Sequence, residues 1–381
     1  MRESTEFVEA AAALRPVLER DQAAGDRDRR LSDDVMAAMR DAGMFRMFVP
    51  SSFGGLELGL RTSVDALAAL AHGDPSASWV VMILGAADLV VAQMPSDAQQ
   101  EIYADGPDTH VCVVLTPHAT AERVDGGWRM SGEWVPASGC LHSSWGVFGF
   151  PIAEGDVGVA AVPFSDLRVK DTWHTVGMRA TGSNLVVGQD IFVPDHRVMR
   201  LADAIAGPLG TGARFRSALV PTVLTYMTGP YLGMASSALE HVMSKAHKRP
   251  VSFTTYQRQS DSPAFQIAIA EATAKLDVAR LLAHSCASLV DDHAMAGTFP
   301  DYETRARHRL HAAHAVRQCG EAVEMLVSAH GAAAVAESSP LSVLLRDMQT
   351  ALRHAMINPS WNMEACGRAL LGVEPNIVAL L

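Results

Sequence analysis

Three histidines recur at every third position of a segment that reads as helix: His308, His311 and His314. At that spacing successive rings turn by about 60° around the axis, so two of them could share a metal ion. Arg307 and Arg309 stand between them, however, and cationic neighbours oppose a bound cation. The expected reading is a solvated or interface stripe, and no metal site is assigned. Other familiar chemistry is missing from the chain. GxGxxG, GxxxxGK[ST] and GxSxG are absent, so a dinucleotide fold, a phosphate loop and a nucleophile elbow lose their usual signals. HExxH is absent too, and no Glu has a His three residues later, as a di-iron carboxylate bundle requires.

The 381 residues predict two to three domains at about 150 residues each. Apolar residues make up 49% and mean hydropathy is +0.11, which excludes a disordered or collagen-like chain. Lys plus Arg number 31 against 42 Asp plus Glu, a formal charge of −11. No basic stripe could neutralise a run of phosphates, so a nucleic-acid partner is not expected. The longest apolar stretch, Trp79 to Ala87, stops at Asp88, far short of the roughly 18 residues of a membrane span. The charged start, Met1-Arg2-Glu3, lacks a signal-peptide pattern. Cys112, Cys140, Cys286, Cys319 and Cys366 are odd in number and show no zinc-type spacing. A cytoplasmic setting is expected.

The pattern changes character twice. Residues 1–108 read as a helical domain: Ala10 to Arg20, Asp33 to Ala42, Val64 to Ala71 and Ser76 to Met94 carry apolar residues at three-and-four spacing. Ser32 is an expected N-cap, Gly43 a stop and Pro75 a helix start. Over 109–216 the period drops to two. Val111 to Leu115, Trp128 to Val135, Trp145 to Phe150, Val157 to Val162 and Leu185 to Val193 read as strands of an antiparallel barrel or sandwich. From 217 to 381 the helical period returns in Thr222 to Met243, Ala264 to Asp291, Tyr302 to Ala329, Leu341 to Met356 and Ser360 to Leu371, a four-helix-type bundle. The chain is mostly α with a β insert.

Four motifs in that order carry a resemblance. They are Asp41 to Pro50 running into Phe53-Gly54-Gly55; Ser131 to Cys140; Trp173 to Ser183; and Arg346-Asp347 followed by His354 and Asn358-Pro359. From Asp33 to Pro375 the sequence resembles the acyl-CoA dehydrogenase superfamily. Within it, the chain looks like the two-component, flavin-dependent monooxygenases, the indole-acetate monooxygenase and aromatic hydroxylase oxygenase components above all. A dehydrogenase needs a carboxylate base for the α-proton of an acyl thioester. Ala355 holds one family position for that Glu and Val223 the other, so dehydrogenation is disfavoured.

The resemblance implies an oxygenase component that takes reduced FAD or FMN by diffusion from a separate NAD(P)H:flavin reductase. With O2 it would hydroxylate or epoxidise a small indole- or phenol-like molecule through a C4a-hydroperoxyflavin. His354 would act as base or proton relay, since an imidazole titrates near neutrality. The Ser138 hydroxyl would steady the oxygenated flavin at N5. Trp134, Trp173, Gly177, Arg179, Thr181 and Ser183 would contact the flavin. Arg258 would reach the flavin of a neighbouring subunit in a homotetramer. His72 and His142 are candidates for the pocket wall. Some phenol hydroxylases of this branch carry a second pocket histidine where Ala87 stands here, which favours an indole-like substrate. Nitrogen or sulfur oxidation, a desaturase with an unusual base, and a scaffold that has lost the flavin remain alternatives.

Overall fold

The Asp74 side chain accepts the amides of Ser76 and Ala77, and Pro75 occupies the first position of the helix they open. That helix is the apolar centre of the N-terminal region. The computed structural model describes residues 2–153, 155–206, 212–374 and 376–378; Pro375, where the resemblance ends, and the outermost residues Met1 and Leu381 lie outside them. Six helices come first: α1 Arg2–Ala13, α2 Arg15–Asp28, α3 Asp33–Asp41, α4 Leu60–Gly73, α5 Pro75–Val91 and α6 Ser96–Ile102. Ser32 caps α3 by accepting the Val35 N–H, and Gly43 follows with a φ of 75°. The expected helix over Ala10 to Arg20 is instead interrupted at Leu14, with Pro16 in the first turn of α2, where its missing N–H does no harm. In α5 every residue except Ile83 is buried, as expected of a helix that is apolar on all sides.

Eight strands follow: β1 Val111–Val114, β2 Ala119–Val124, β3 Gly127–Ala137, β4 Trp145–Ala153, β5 Asp156–Pro163, β6 Leu167–Lys170, β7 Asn184–Pro194 and β8 Val198–Arg200. They form two four-stranded sheets, ordered β1-β4-β5-β8 and β2-β3-β7-β6. The sheets face one another, with Trp134 of β3 stacked on Phe148 of β4 at 4.5 Å. The expectation of an all-antiparallel insert needs one correction: β1 pairs with β4 in parallel. The chain leaves β1, makes the β2-β3 hairpin in the other sheet, and returns alongside β1 in the same direction. The β2, β6 and β8 strands escaped the sequence reading. β2 is polar and largely exposed, and the other two are three or four residues long, too short to show a period.

The remaining helices are α7 Leu201–Ala206, α8 Leu219–Tyr226, α9 Thr228–Ala246, α10 Pro263–Ala296, α11 Tyr302–His330, α12 Pro340–Ala351 and α13 Pro359–Leu370. The single helix expected over Thr222 to Met243 is broken at Met227, because Pro230 is tolerated in the first turn of α9 but not inside a continuous helix. α12 stops five residues before the expected Met356. Its last carbonyl, Ala351 O, accepts the Tyr231 hydroxyl at 2.7 Å, and the His354 backbone then turns extended (φ −63°, ψ 127°).

Candidate active site

A cavity of about 1060 Å³ opens where α5, the end of β3, the 173–183 loop, α8 and the segment after α12 converge. From α5 it receives Trp79, Met82, Ile83, Ala86 and Val90, residues three, four, seven and eleven apart on one helical face. Leu219, Val220, Val223 and Met227 close the opposite side, and Gln349, Thr350, Ala351 and residues 353–356 form another wall. Among the described residues, the lining contains no Asp or Glu. Both positions expected to lack a carboxylate, Val223 and Ala355, face this space.

His354 lines the cavity from the segment beyond α12, with its ring edge-on to Trp79 at 5.6 Å between centroids. Its Nδ1 is enclosed and has no hydrogen-bond partner, leaving Nε2 as the nitrogen open to the cavity. Burial pushes its pKa down to about 4, so the ring is neutral at physiological pH. The expectation of titration near neutrality is corrected by this enclosure.

Ser138 and Ser183 are joined at 2.7 Å, Ser183 and Thr181 at 2.7 Å, and the Thr181 hydroxyl donates to Met178 O at 2.7 Å. All three hydroxyl residues are buried and line the cavity. Trp173 lines it as well, its indole N–H donating to Met178 O at 2.9 Å. The apolar walls beside this short polar seam suit a flat heteroaromatic ring with one hydrogen-bonding edge, so the residues present fit a flavin.

The other flavin-contact expectations have different places. Trp134 is fully buried between the sheets, donates its indole N–H to Gly149 O at 2.8 Å, and does not line the cavity. Gly177 lies against α12: a Cβ there would fall 2.7 Å from the Asp347 amide nitrogen and nearer still to the Arg346 carbonyl. Arg179 ties the loop to α2 through Asp26 O and to its own turn through Thr175 O, both at 2.8 Å. Arg258 is exposed, paired with Asp261 at 2.9 Å and away from the cavity lining. His72 pairs with Glu240 at 3.0 Å, and the His142 ring is enclosed with Nε2 unpartnered; neither lines the cavity. Ala87 is buried on another face of α5, and Ala86 occupies the cavity side of that turn. His308 is buried against the Thr225 hydroxyl at 2.8 Å.

Asp347 joins the loop to α12. The Met178 amide donates to its Oδ1 at 2.6 Å, and Arg346 reaches Asp26 at 2.9 Å. Desolvation, the largest cause, raises the Asp347 pKa to about 7 against the opposing Met178 bond.

Residues 3–106 match the N-terminal domain family of acyl-CoA dehydrogenases, and residues 226–359 match a C-terminal domain family. The chain is 31% identical over 361 residues to the oxygenase subunit HsaA, a flavin-dependent monooxygenase of Rhodococcus jostii, covering 91% of this chain and 93% of that one. It is 26% identical to the oxygenase component of p-hydroxyphenylacetate 3-hydroxylase from Acinetobacter baumannii (97% and 90% covered). It is 29% identical to indole-3-acetate monooxygenase from Pseudomonas putida (92% and 90% covered). Among solved structures, XiaF from a Streptomyces species, in complex with FADH2 and glycerol, superposes with a TM-score of 0.95 at 33% identity, over 100% of this chain and 98% of that one. The chain belongs to the flavin-dependent monooxygenase oxygenase components of the acyl-CoA dehydrogenase superfamily. Reduced FAD is the cofactor named for two of these relatives: XiaF holds FADH2, and a resorcinol hydroxylase oxygenase component of Rhizobium, 30% identical over 372 residues, is FADH2-dependent.

In this oxygenase component the sequence reading missed Trp79, His174, Thr175 and Gln349, all on the cavity wall. Two signals were present. Trp79 ends a Ser-x-x-Trp run, and His174 sits inside the quoted loop motif beside Trp173. Among the described residues, no helix is long and apolar enough to cross a membrane.

Proposed function

We propose that this oxygenase component hydroxylates an aromatic substrate in the cavity beneath His354, with reduced FAD or FMN delivered by a separate reductase. The observation that carries the reading is the cavity wall: the neutral His354 imidazole and the Ser138–Ser183–Thr181 hydroxyl seam among largely apolar side chains, with no carboxylate among the described lining residues. Without a carboxylate base, α-proton abstraction from a thioester has no agent. Aromatic hydroxylation needs what the wall offers: flat apolar surfaces and, in His354, a nitrogen base set among them. Relatives named for p-hydroxyphenylacetate and indole-3-acetate support the substrate class.

When bound, reduced flavin supplies the electrons with which O2 is cleaved, one oxygen atom going to the substrate and the other to water. The chain's own residues provide the setting. Trp79, Ile83, Val220, Val223 and Met227 exclude water from it. His354 Nε2 accepts a proton from a phenol O–H or indole N–H, or returns one. The ring stays available as a base because burial keeps it neutral above about pH 4. Ser138 would hold the flavin edge and Trp173 would stand beside it, while Gly177, Arg179 and Asp347 fix the loop that carries Trp173, Thr181 and Ser183. With Ala86 on the α5 wall, no second histidine flanks His354 from that helix, which favours an indole-like or other weakly acidic ring over a phenolate.

A homotetramer is part of the same proposal. Ile267, Val278 and Leu281 of α10 are exposed apolar side chains that a second copy would cover, and Arg258 then reaches toward a neighbour. The test is anaerobic mixing of the protein with reduced FAD or FMN, followed by oxygenated buffer, read by stopped-flow absorbance. A near-ultraviolet transient that outlasts free-flavin reoxidation is expected. Reoxidation at the free-flavin rate with both flavins would sink the reading.

A further inference from the structure

The hydroxyl seam has a direction. Thr181 Oγ1 lies 2.7 Å from Met178 O, and a carbonyl oxygen only accepts, so the single Thr181 proton lies in that bond. Thr181 then meets Ser183 as an acceptor, and the 2.7 Å contact between them requires the Ser183 proton. The Ser183 proton being used there, the 2.7 Å contact between Ser183 and Ser138 requires the Ser138 proton. Three hydroxyls carry three protons, and three short contacts consume all of them. Ser138 therefore presents only lone pairs to the cavity.

We infer that this chain makes Ser138 an obligate acceptor, and that Thr181 and Ser183 are positioning residues which make the site select the reduced flavin. The inference rests on the flavin-binding reading above. A reduced flavin carries a hydrogen on ring nitrogen N5; the oxidised ring has a bare nitrogen there, itself an acceptor. Acceptor facing donor gains a hydrogen bond. Acceptor facing acceptor leaves two buried groups unsatisfied, a loss made larger by the surrounding apolar wall. The site thereby takes up the reduced cofactor and releases the spent, oxidised one without any movement of the chain.

The anchor at the far end is well held. Met178 O also accepts the Trp173 indole N–H, and the Met178 amide is bonded to Asp347. Removing the Thr181 hydroxyl frees the Ser183 proton to turn toward Ser138. The Ser138 proton is then free to point into the cavity, and the serine becomes a donor to the oxidised ring.

The test compares dissociation constants for oxidised FAD and FMN with those for dithionite-reduced FAD and FMN under anaerobic conditions. It uses wild type, Thr181→Val, Thr181→Ser and Ser183→Ala. Wild type is expected to bind the reduced form more tightly. Thr181→Val and Ser183→Ala should narrow the oxidised-to-reduced ratio by about fivefold to tenfold, the worth of one hydrogen bond; Thr181→Ser, which keeps the hydroxyl, should restore it. The ratio discounts general damage, because a loosened fold weakens both affinities together. A ratio unchanged in both Thr181→Val and Ser183→Ala overturns the inference while leaving flavin binding intact. Failure of wild type to bind either redox state overturns both the inference and the function it rests on.

Discussion

Replacing Gly177 by alanine tests whether the second flavin loop is placed by its contact with α12. The added Cβ would fall 2.7 Å from the Asp347 amide nitrogen, where ordinary contact begins near 3.4 Å, with backbone rather than a flexible side chain on the other side. Loop and helix must part by at least about 0.7 Å. That stretches the 2.6 Å bond between the Met178 amide and Asp347 to about 3.3 Å, past the favourable range. Overpacking costs about 1–3 kcal/mol. Weakening the Met178 amide bond to this buried carboxyl adds up to about 1–3 kcal/mol. With an unfolding entropy of about 0.8 kcal/mol/K for 381 residues, a fall in Tm of roughly 2–8 °C is expected by circular dichroism. Trp173, Thr181 and Ser183 move with the loop, so the dissociation constant for reduced flavin should rise by about tenfold or more, read by anaerobic fluorescence titration. A variant with wild-type Tm but weakened flavin binding would show that Gly177 touches the cofactor directly. Wild-type values of both quantities would refute the packing argument.

Other perturbations separate the remaining roles. His354→Ala should lower coupled turnover by about 10²–10⁴-fold while reduced-flavin affinity stays within about twofold; a loss of under tenfold would remove His354 as the proton carrier. Because burial lowers its pKa from 6.5 to about 4, ionisation of His354 should leave the rate flat from about pH 5 upward. An inflection near 6.5 that vanishes in His354→Ala would contradict the enclosure. The same depressed pKa has a stability consequence: the unfolded chain binds the proton more readily between 6.5 and about 4, so stability from this group is full above 6.5 and falls as pH drops through that window. His354→Leu should therefore be less acid-sensitive there than wild type in denaturant titrations. Trp134→Phe should cost about 1–3 kcal/mol by stranding Gly149 O, with flavin affinity unchanged; weakened flavin binding at wild-type stability would return Trp134 to the cofactor site.

Much of this oxygenase component is written in local sequence. Ser32 and Pro75 set helix starts because a side-chain oxygen or a missing N–H acts within one turn. Ser138, Trp173, Thr181, Ser183 and His354 were named from motifs and all line the cavity, as do Val223 and Ala355, the two positions without a carboxylate. Local patterning thus specifies the order of elements and the chemical types that converge. Tertiary structure decided the rest, since a motif does not say which neighbour a residue will meet. Trp134 turns toward Phe148 because the opposite sheet covers that face of β3, while Gly177 and Arg179 serve the joints with α12 and α2. Trp79 becomes a wall because α5 presents that stripe to the cavity, and His354 follows α12 in extended backbone, its amide sharing the Ala351 carbonyl with the Tyr231 hydroxyl. Its proton affinity, too, is a property of enclosure. An imidazole titrates where the surrounding dielectric allows its charge, and only packing creates that dielectric.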